Sequence, residues 1–153
     1  MENKVFNLLI ENSEGILELE VSQTVMNKYD DNMSVTLSTT IQGEAKSWES
    51  ETTEDTLILL AKSLPEGWKL KSCFSCRFGN FCPVGDYDNE LFCVTDFEPK
   101  ESCDLWHVTE DAVERKNRRR TLFDCCECYK EQAENYYTYS DYYHIMHPKR
   151  TEE

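Results

Sequence analysis

No apolar run in this 153-residue chain exceeds five residues, 57–61, where about 20 are needed to cross a bilayer as a helix. Glu2 and Lys4 stand where a leader peptide carries cations alone, and no apolar stretch of leader length follows. We therefore expect a cytoplasmic protein. A glycine-rich phosphate loop is missing, as are Gly-x-Ser-x-Gly and His-Glu-x-x-His. Those three absences argue against nucleotide-binding, serine-hydrolase and zinc-protease chemistry. Cations are outnumbered by 16 to 30, giving a net charge of −14. Such a field repels nucleic acid and anionic membrane, so neither is expected as a partner, and a basic protein is the electrostatic complement. The same acidity also serves solubility. Its spread is even, with −7 on residues 1–72 and −7 on residues 73–153.

Cysteine is absent from the first 72 residues, while eight cysteines lie between Cys73 and Cys128. Hydrophobic residues make up 39% of the chain, which is enough for a packed core. The chain is expected to divide into an α+β sheet-and-helix lobe over 1–72, a cysteine-rich metal-binding lobe over 73–135 and a tyrosine-rich tail over 136–153. The two lobes can share one domain.

Strands are expected at 5–10 and 16–21, joined by Asn12-Ser13-Glu14-Gly15. The strongest strand signal is residues 33–41, where Met33, Val35, Leu37, Thr39 and Ile41 alternate with Ser34, Thr36, Ser38 and Thr40. Gln42-Gly43 turns the chain into a fourth strand near 45–51, anchored by Trp48. Thr53 is the expected N-cap of a helix whose first turn carries Glu54 and Asp55. Leu57, Leu60, Ala61 and Leu64 form its apolar stripe. Pro65-Glu66-Gly67 ends that helix, and Trp68 and Leu70 mark a fifth strand. The fold class is thus α+β, an antiparallel meander sheet with one packing helix.

The cysteine-rich part reads as a loop over 73–88, with Gly79-Asn80, Pro83 and Gly85-Asp86 as turn formers. Short strands are expected at 91–97 and 105–108, and a helix at 110–120.

In a reducing compartment a dense set of thiols points to metal or redox chemistry ahead of disulfides. Cys73-Phe-Ser-Cys76 and Cys125-Cys-Glu-Cys128 are two Cys-x-x-Cys pairs. Two thiolates three positions apart can converge on a tetrahedral ion, so Cys73, Cys76, Cys125 and Cys128 form the leading zinc ligand set. Cys82, Cys93, Cys126 and His107 are alternates, and an iron–sulfur cluster, or no cofactor, is the alternative content. Four protein ligands leave no open position for catalysis. Cys93, in Leu-Phe-Cys-Val, also reads as a buried strand residue, and Cys103 as an incidental exposed thiol.

The stretch Cys73-Phe-Ser-Cys76-Arg-Phe-Gly79-Asn80-Phe-Cys82-Pro83-Val-Gly85 resembles a motif of small bacterial proteins of unknown function. Leu122-Phe123-Asp124-Cys125-Cys126 is similar to their downstream cysteine segment. The resemblance covers about a third of the chain, and implies a bacterial origin and a recurring cysteine unit. It implies no activity and no ligand set.

Arg115-Lys116-Asn117-Arg118-Arg119-Arg120 concentrates five cations in six residues. We read it as a helix C-terminus pairing with Glu110, Asp111 and Glu114. Tyr136, Tyr137, Tyr139, Tyr142 and Tyr143 crowd the tail, and His144 and His147 stand three apart beside them. The functional expectation is a non-enzymatic, metal-stabilised interaction module of the inhibitor or immunity type. The alternative is a redox or metal-dependent enzyme using the same cysteines.

Overall fold

The computed structural model describes residues 2–27, 33–85 and 87–148. Residues 149–153 of the tail, and Asp86 of the expected Gly85-Asp86 turn, lie outside the described residues. The chain divides into two compact units, Met1–Ser72 and Cys73–Glu153.

The first unit is α+β. Strands β1 (Glu2–Asn12), β2 (Gly15–Asn27), β3 (Met33–Ile41) and β4 (Glu44–Ser50) form an antiparallel meander, and β5 (Lys69–Lys71) adds to the far edge of β1. The order across the sheet is β4-β3-β2-β1-β5. Alternation decides which side chains are inside: Leu8 and Ile10 of β1, Leu19 and Val21 of β2, and Val35, Leu37 and Ile41 of β3 are all buried. Asn12 accepts a 2.9 Å hydrogen bond from the Glu14 amide in the β1–β2 turn. At the β3–β4 hairpin, Gln42 and Gly43 both take positive φ, 51° and 83°, the backbone that a two-residue turn needs to match strand twist.

Helix α1 (Thr53–Lys62) packs on β3 and β4. Its N-cap is Thr52, whose hydroxyl accepts from the Asp55 amide at 3.0 Å. This corrects the expected cap at Thr53. Thr53 is instead a fully buried first-turn residue that accepts a 2.8 Å bond from the Gln23 side chain. Leu57 and Leu60 are completely buried, each contributing roughly 1.5–3 kcal/mol. Leu64 lies beyond the helix end.

The second unit holds an antiparallel three-stranded sheet, β6 (Gly79–Asn80), β7 (Leu91–Cys93) and β8 (Arg119–Arg120), in that order. Helices α2 (Ser102–Glu110), α3 (Ala112–Arg118) and α4 (Tyr142–Met146) accompany it. Three expectations are corrected here. Residues 105–108 are helical, because Asp104 accepts from the Lys100 and Glu101 amides at 2.8 and 3.3 Å and opens a helix. Leu105 and Thr109, one turn apart, form its buried face. The helix expected at 110–120 begins later, since the Asp111 carboxylate caps the Val113 and Glu114 amides. It ends at Arg118, where the chain turns extended to form β8. The strand expected at 91–97 stops at Cys93. Among the described residues, no helix is long and apolar enough to cross a membrane.

Candidate functional site

The Cys73–Cys76 pair is built as a knuckle of successive tight turns. The Cys76 amide donates to the Cys73 carbonyl at 3.3 Å, and the Gly79 amide donates to the Cys76 carbonyl at 3.1 Å. The fold tolerates only glycine at the end of this turn: a Cβ built on Gly79 runs into the Cys73 carbonyl oxygen. A single distant stretch, from Asp124 to Gln132, holds the knuckle in place. Its Cys73 amide donates to the Asp124 carbonyl, and its Arg77 amide donates to the Lys130 carbonyl at 2.9 Å. An antiparallel bridge joins Cys76 to Glu131. Gln132 completes the attachment, its side-chain amide donating to the Phe74 and Cys76 carbonyls at 3.1 and 3.3 Å.

Pairing in the small sheet then supplies another thiol. Gly79 lies directly opposite Cys93, and the Val94 amide donates to the Phe78 carbonyl at 3.0 Å. Because Asp124 is tied to Cys73, the following residues Cys125 and Cys126 are delivered to the same place. The result is a cavity of about 10 Å³ whose walls include Cys73, Cys76, Cys93, Cys125 and Cys126, beside Arg120 and Tyr129. That volume is close to the least that admits one water-sized sphere. Tyr129 is fixed by a 3.0 Å contact between its hydroxyl and that of Ser75.

Within this group the thiols influence one another unequally. Burial pushes the Cys73 thiol far above its ordinary range, and the neighbouring Cys76, Asp124, Cys93 and Cys126 add to the effect. Burial also raises Cys76, with Cys93 and Cys126 contributing, while the Lys130 and Phe78 amides donate toward its sulfur and oppose the rise. Cys73 and Cys76 therefore both sense Cys93 and Cys126. The Cys125 thiol is turned toward the Cys126 carbonyl at 3.8 Å. No disulfide joins any of the eight cysteines. Among the described residues, no group of three or more His, Cys, Asp or Glu side chains is disposed to hold a metal ion as it stands.

The remaining sequence candidates lie elsewhere. Cys128 is exposed and outside the cavity wall, and Cys103 is exposed on α2. Cys82 is buried with its sulfur 3.6 Å from the Thr109 hydroxyl and 4.0 Å from the Arg115 guanidinium. His107 is exposed on α2 against the edge of Trp106. Both His144 and His147 contact the ring of Tyr143.

The basic run is largely consumed by internal pairing. Arg115 and Arg119 hold opposite oxygens of the buried Glu90 carboxylate at 3.2 and 2.8 Å. Arg118 makes two 2.7 Å contacts with Asp96, one of 2.9 Å with Glu114 and one of 3.0 Å with the Cys93 carbonyl. Of the acidic partners expected for this run, Glu114 is used in this way, but Glu90 and Asp96 come from distant segments. Tyr129 and Gln132 carry no signal in the sequence, because their roles depend on pairing across more than 50 residues.

Comparison of the chain with protein-family models, with curated proteins and with solved structures returns no match.

Proposed function

We propose that the protein is a non-catalytic interaction module whose second unit is clasped by one zinc ion on Cys73, Cys76, Cys93 and Cys126. The observation that carries this reading is the convergence of five cysteines, from three separate stretches of chain, on one cavity of about 10 Å³. Its size suits a single ion. Cys73 and Cys76 supply the rigid half, with amides of Lys130 and Phe78 donating toward the Cys76 sulfur, as outer-shell donors do at thiolate sites. Cys93 adds a third ligand from β7. Cys126 is preferred to Cys125 as the fourth because the Cys125 thiol is turned toward the Cys126 carbonyl, at 3.8 Å.

Binding draws the four sulfurs inward, with Zn–S near 2.3 Å. Cys126 is exposed and lies in a segment without helix or strand, so it is the member with room to move. A closed tetrathiolate leaves no position for water or substrate, and the ion then acts on folding. The redox alternative calls for accessible thiols, whereas Cys73 and Cys76 are buried. With a net charge of −14, the partner class that fits is a basic protein, as for an inhibitor or immunity factor, in which opposite charge speeds association.

Elemental analysis of the purified protein, paired with thiol titration before and after chelation, tests the metal assignment. The expected result is about one zinc per chain and four thiols protected until the chelator is added. A metal-free protein with unprotected thiols that takes up no added zinc would overturn it.

A further inference from the structure

Cys125, Cys126 and Cys128 put three thiols within four residues, and the zinc clasp takes one of them. The two left over stand beside the ligand that solvent reaches most easily. Cys73 and Cys76 are only 8% and 6% exposed, and Cys93 is half-buried. Cys126 alone of the four ligands is exposed, so a small oxidant in solution meets its sulfur first. Coordination also holds a ligand sulfur as the thiolate, which is the form that attacks oxidants.

Geometry separates the two spare thiols. A relaxed disulfide wants Cα atoms about 4.4–6.8 Å apart. Cys125 is too near to Cys126, since neighbouring Cα atoms across a trans peptide lie about 3.8 Å apart. Cys128 is better placed. A turn closes from Cys126 to Tyr129, whose amide donates to the Cys126 carbonyl at 3.2 Å, with Glu127 and Cys128 at its corner. That bend keeps residues 126 and 128 closer than their extended separation of roughly 7 Å. Cys128 is exposed and outside the cavity wall, so the clasp leaves its sulfur free. The segment 125–130 has no helix or strand to break when it moves.

We propose that Cys126 and Cys128 are an oxidation site, joined as a disulfide by peroxide, and that the bond withdraws Cys126 from the zinc ion. The Cys126 thiolate attacks one peroxide oxygen. The O–O bond breaks, the sulfur becomes a sulfenic acid, and the departing oxygen takes up protons and leaves as water. The Cys128 thiolate then attacks that sulfur: the S–S bond forms, the S–O bond breaks, and a second water departs. Two thiols have then lost two electrons to one hydrogen peroxide. The clasp is left with three sulfurs and an open position, and the buried knuckle pair stays reduced. A thiol reductant therefore restores it. The loss of zinc rests on the reading above, whereas formation of the disulfide does not need the metal.

The test exposes the full zinc-loaded chain to excess hydrogen peroxide and follows released zinc with a chromogenic chelator. Free thiols are blocked with iodoacetamide under denaturing conditions. The disulfide is then reduced and labelled with N-ethylmaleimide, and fragment mass spectra assign each label. The second label on Cys126 and Cys128 together, with zinc loss that dithiothreitol and added zinc reverse, supports the proposal. Cys128→Ser should keep its zinc before treatment. After peroxide it should carry sulfinic acid at Cys126, which dithiothreitol does not reduce, and lose most of the recovery. The second label on a different pair, no disulfide at all, or full recovery by Cys128→Ser overturns the proposal. A chain that takes up no zinc overturns the metal reading, and the label pattern then still decides for or against the disulfide.

Discussion

Gly79 sits against the carbonyl oxygen of Cys73 so closely that no side chain fits between them. This single contact lets the turn after Cys76 fold back over the turn that begins at Cys73. It also sets Gly79 opposite Cys93 in the sheet. Gly79→Ala must therefore push the knuckle open or break the β6–β7 pairing. The expected loss is roughly 2–4 kcal/mol, at the upper end for overpacked sites. Denaturant unfolding checks it, and a midpoint equal to that of the parent would contradict the contact.

Serine substitutions should sort the thiols into two groups. Cys93→Ser and Cys126→Ser are expected to lose most of the bound zinc at neutral pH, because removing one of four ligands opens the tetrahedron. Cys103→Ser and Cys128→Ser should keep the metal content of the parent, both being exposed and outside the cavity wall. Metal-to-protein ratios after gel filtration decide between them. Zinc retained by Cys126→Ser and lost by Cys128→Ser would restore the paired Cys-x-x-Cys arrangement expected from the sequence.

Glu90 holds two guanidinium groups from a side chain only 8% exposed. Replacing it with Gln keeps the shape and removes the charge, leaving Arg115 and Arg119 without their carboxylate. Full burial of such a network would put the cost near 3–5 kcal/mol. Arg119 is about half exposed, so roughly 2–3 kcal/mol is expected. Thermal melts of Glu90→Gln against Glu90→Ala would separate lost charge from lost packing.

The Asp96–Arg118 pair gives a pH signature. Its guanidinium contacts hold the Asp96 carboxyl below the usual carboxylate range. A depressed folded pKa means that the pair's contribution is fully present above the unfolded value, about 3.9. It is lost as pH falls through the folded value. Asp96 is mostly exposed, which limits the contribution to about 1 kcal/mol or less. Asp96→Asn should lower the Tm slightly at pH 7 and converge with the parent in strong acid. A difference that grows on acidification would refute the sign.

How far the sequence revealed the fold depended on the range of the forces involved. Residues 33–41 were legible because a strand with one wet face writes its period directly into the chain. Helix α1 was legible from its stripe and acidic first turn, though its cap lay one residue earlier than Thr53. Residues 105–108 misled because four residues cannot separate a strand period from a helix period, and Asp104, just outside them, decided the matter. At the site, the Cys73–Cys76 knuckle is local and readable. The arrival of Cys93 and Cys126 is not, since it follows from Gly79 pairing with Cys93 and from Asp124 receiving the Cys73 amide. Cys128 has the Cys-x-x-Cys spacing but lies outside the cavity wall.

All eight cysteines belong to the Cys73–Glu153 unit, and none to Met1–Ser72. Thiol-directed alkylating reagents and disulfide-forming oxidants thus find their target in one unit alone. The meander sheet with its helix, closed by backbone ladders and aliphatic packing, offers them no thiol, its sulfur being methionine alone, as at the exposed Met26. Under the proposed zinc clasp, thiol oxidation or metal starvation would strip order from the carboxyl-terminal unit and leave the amino-terminal one without a target, which makes this a chain that can be half disarmed.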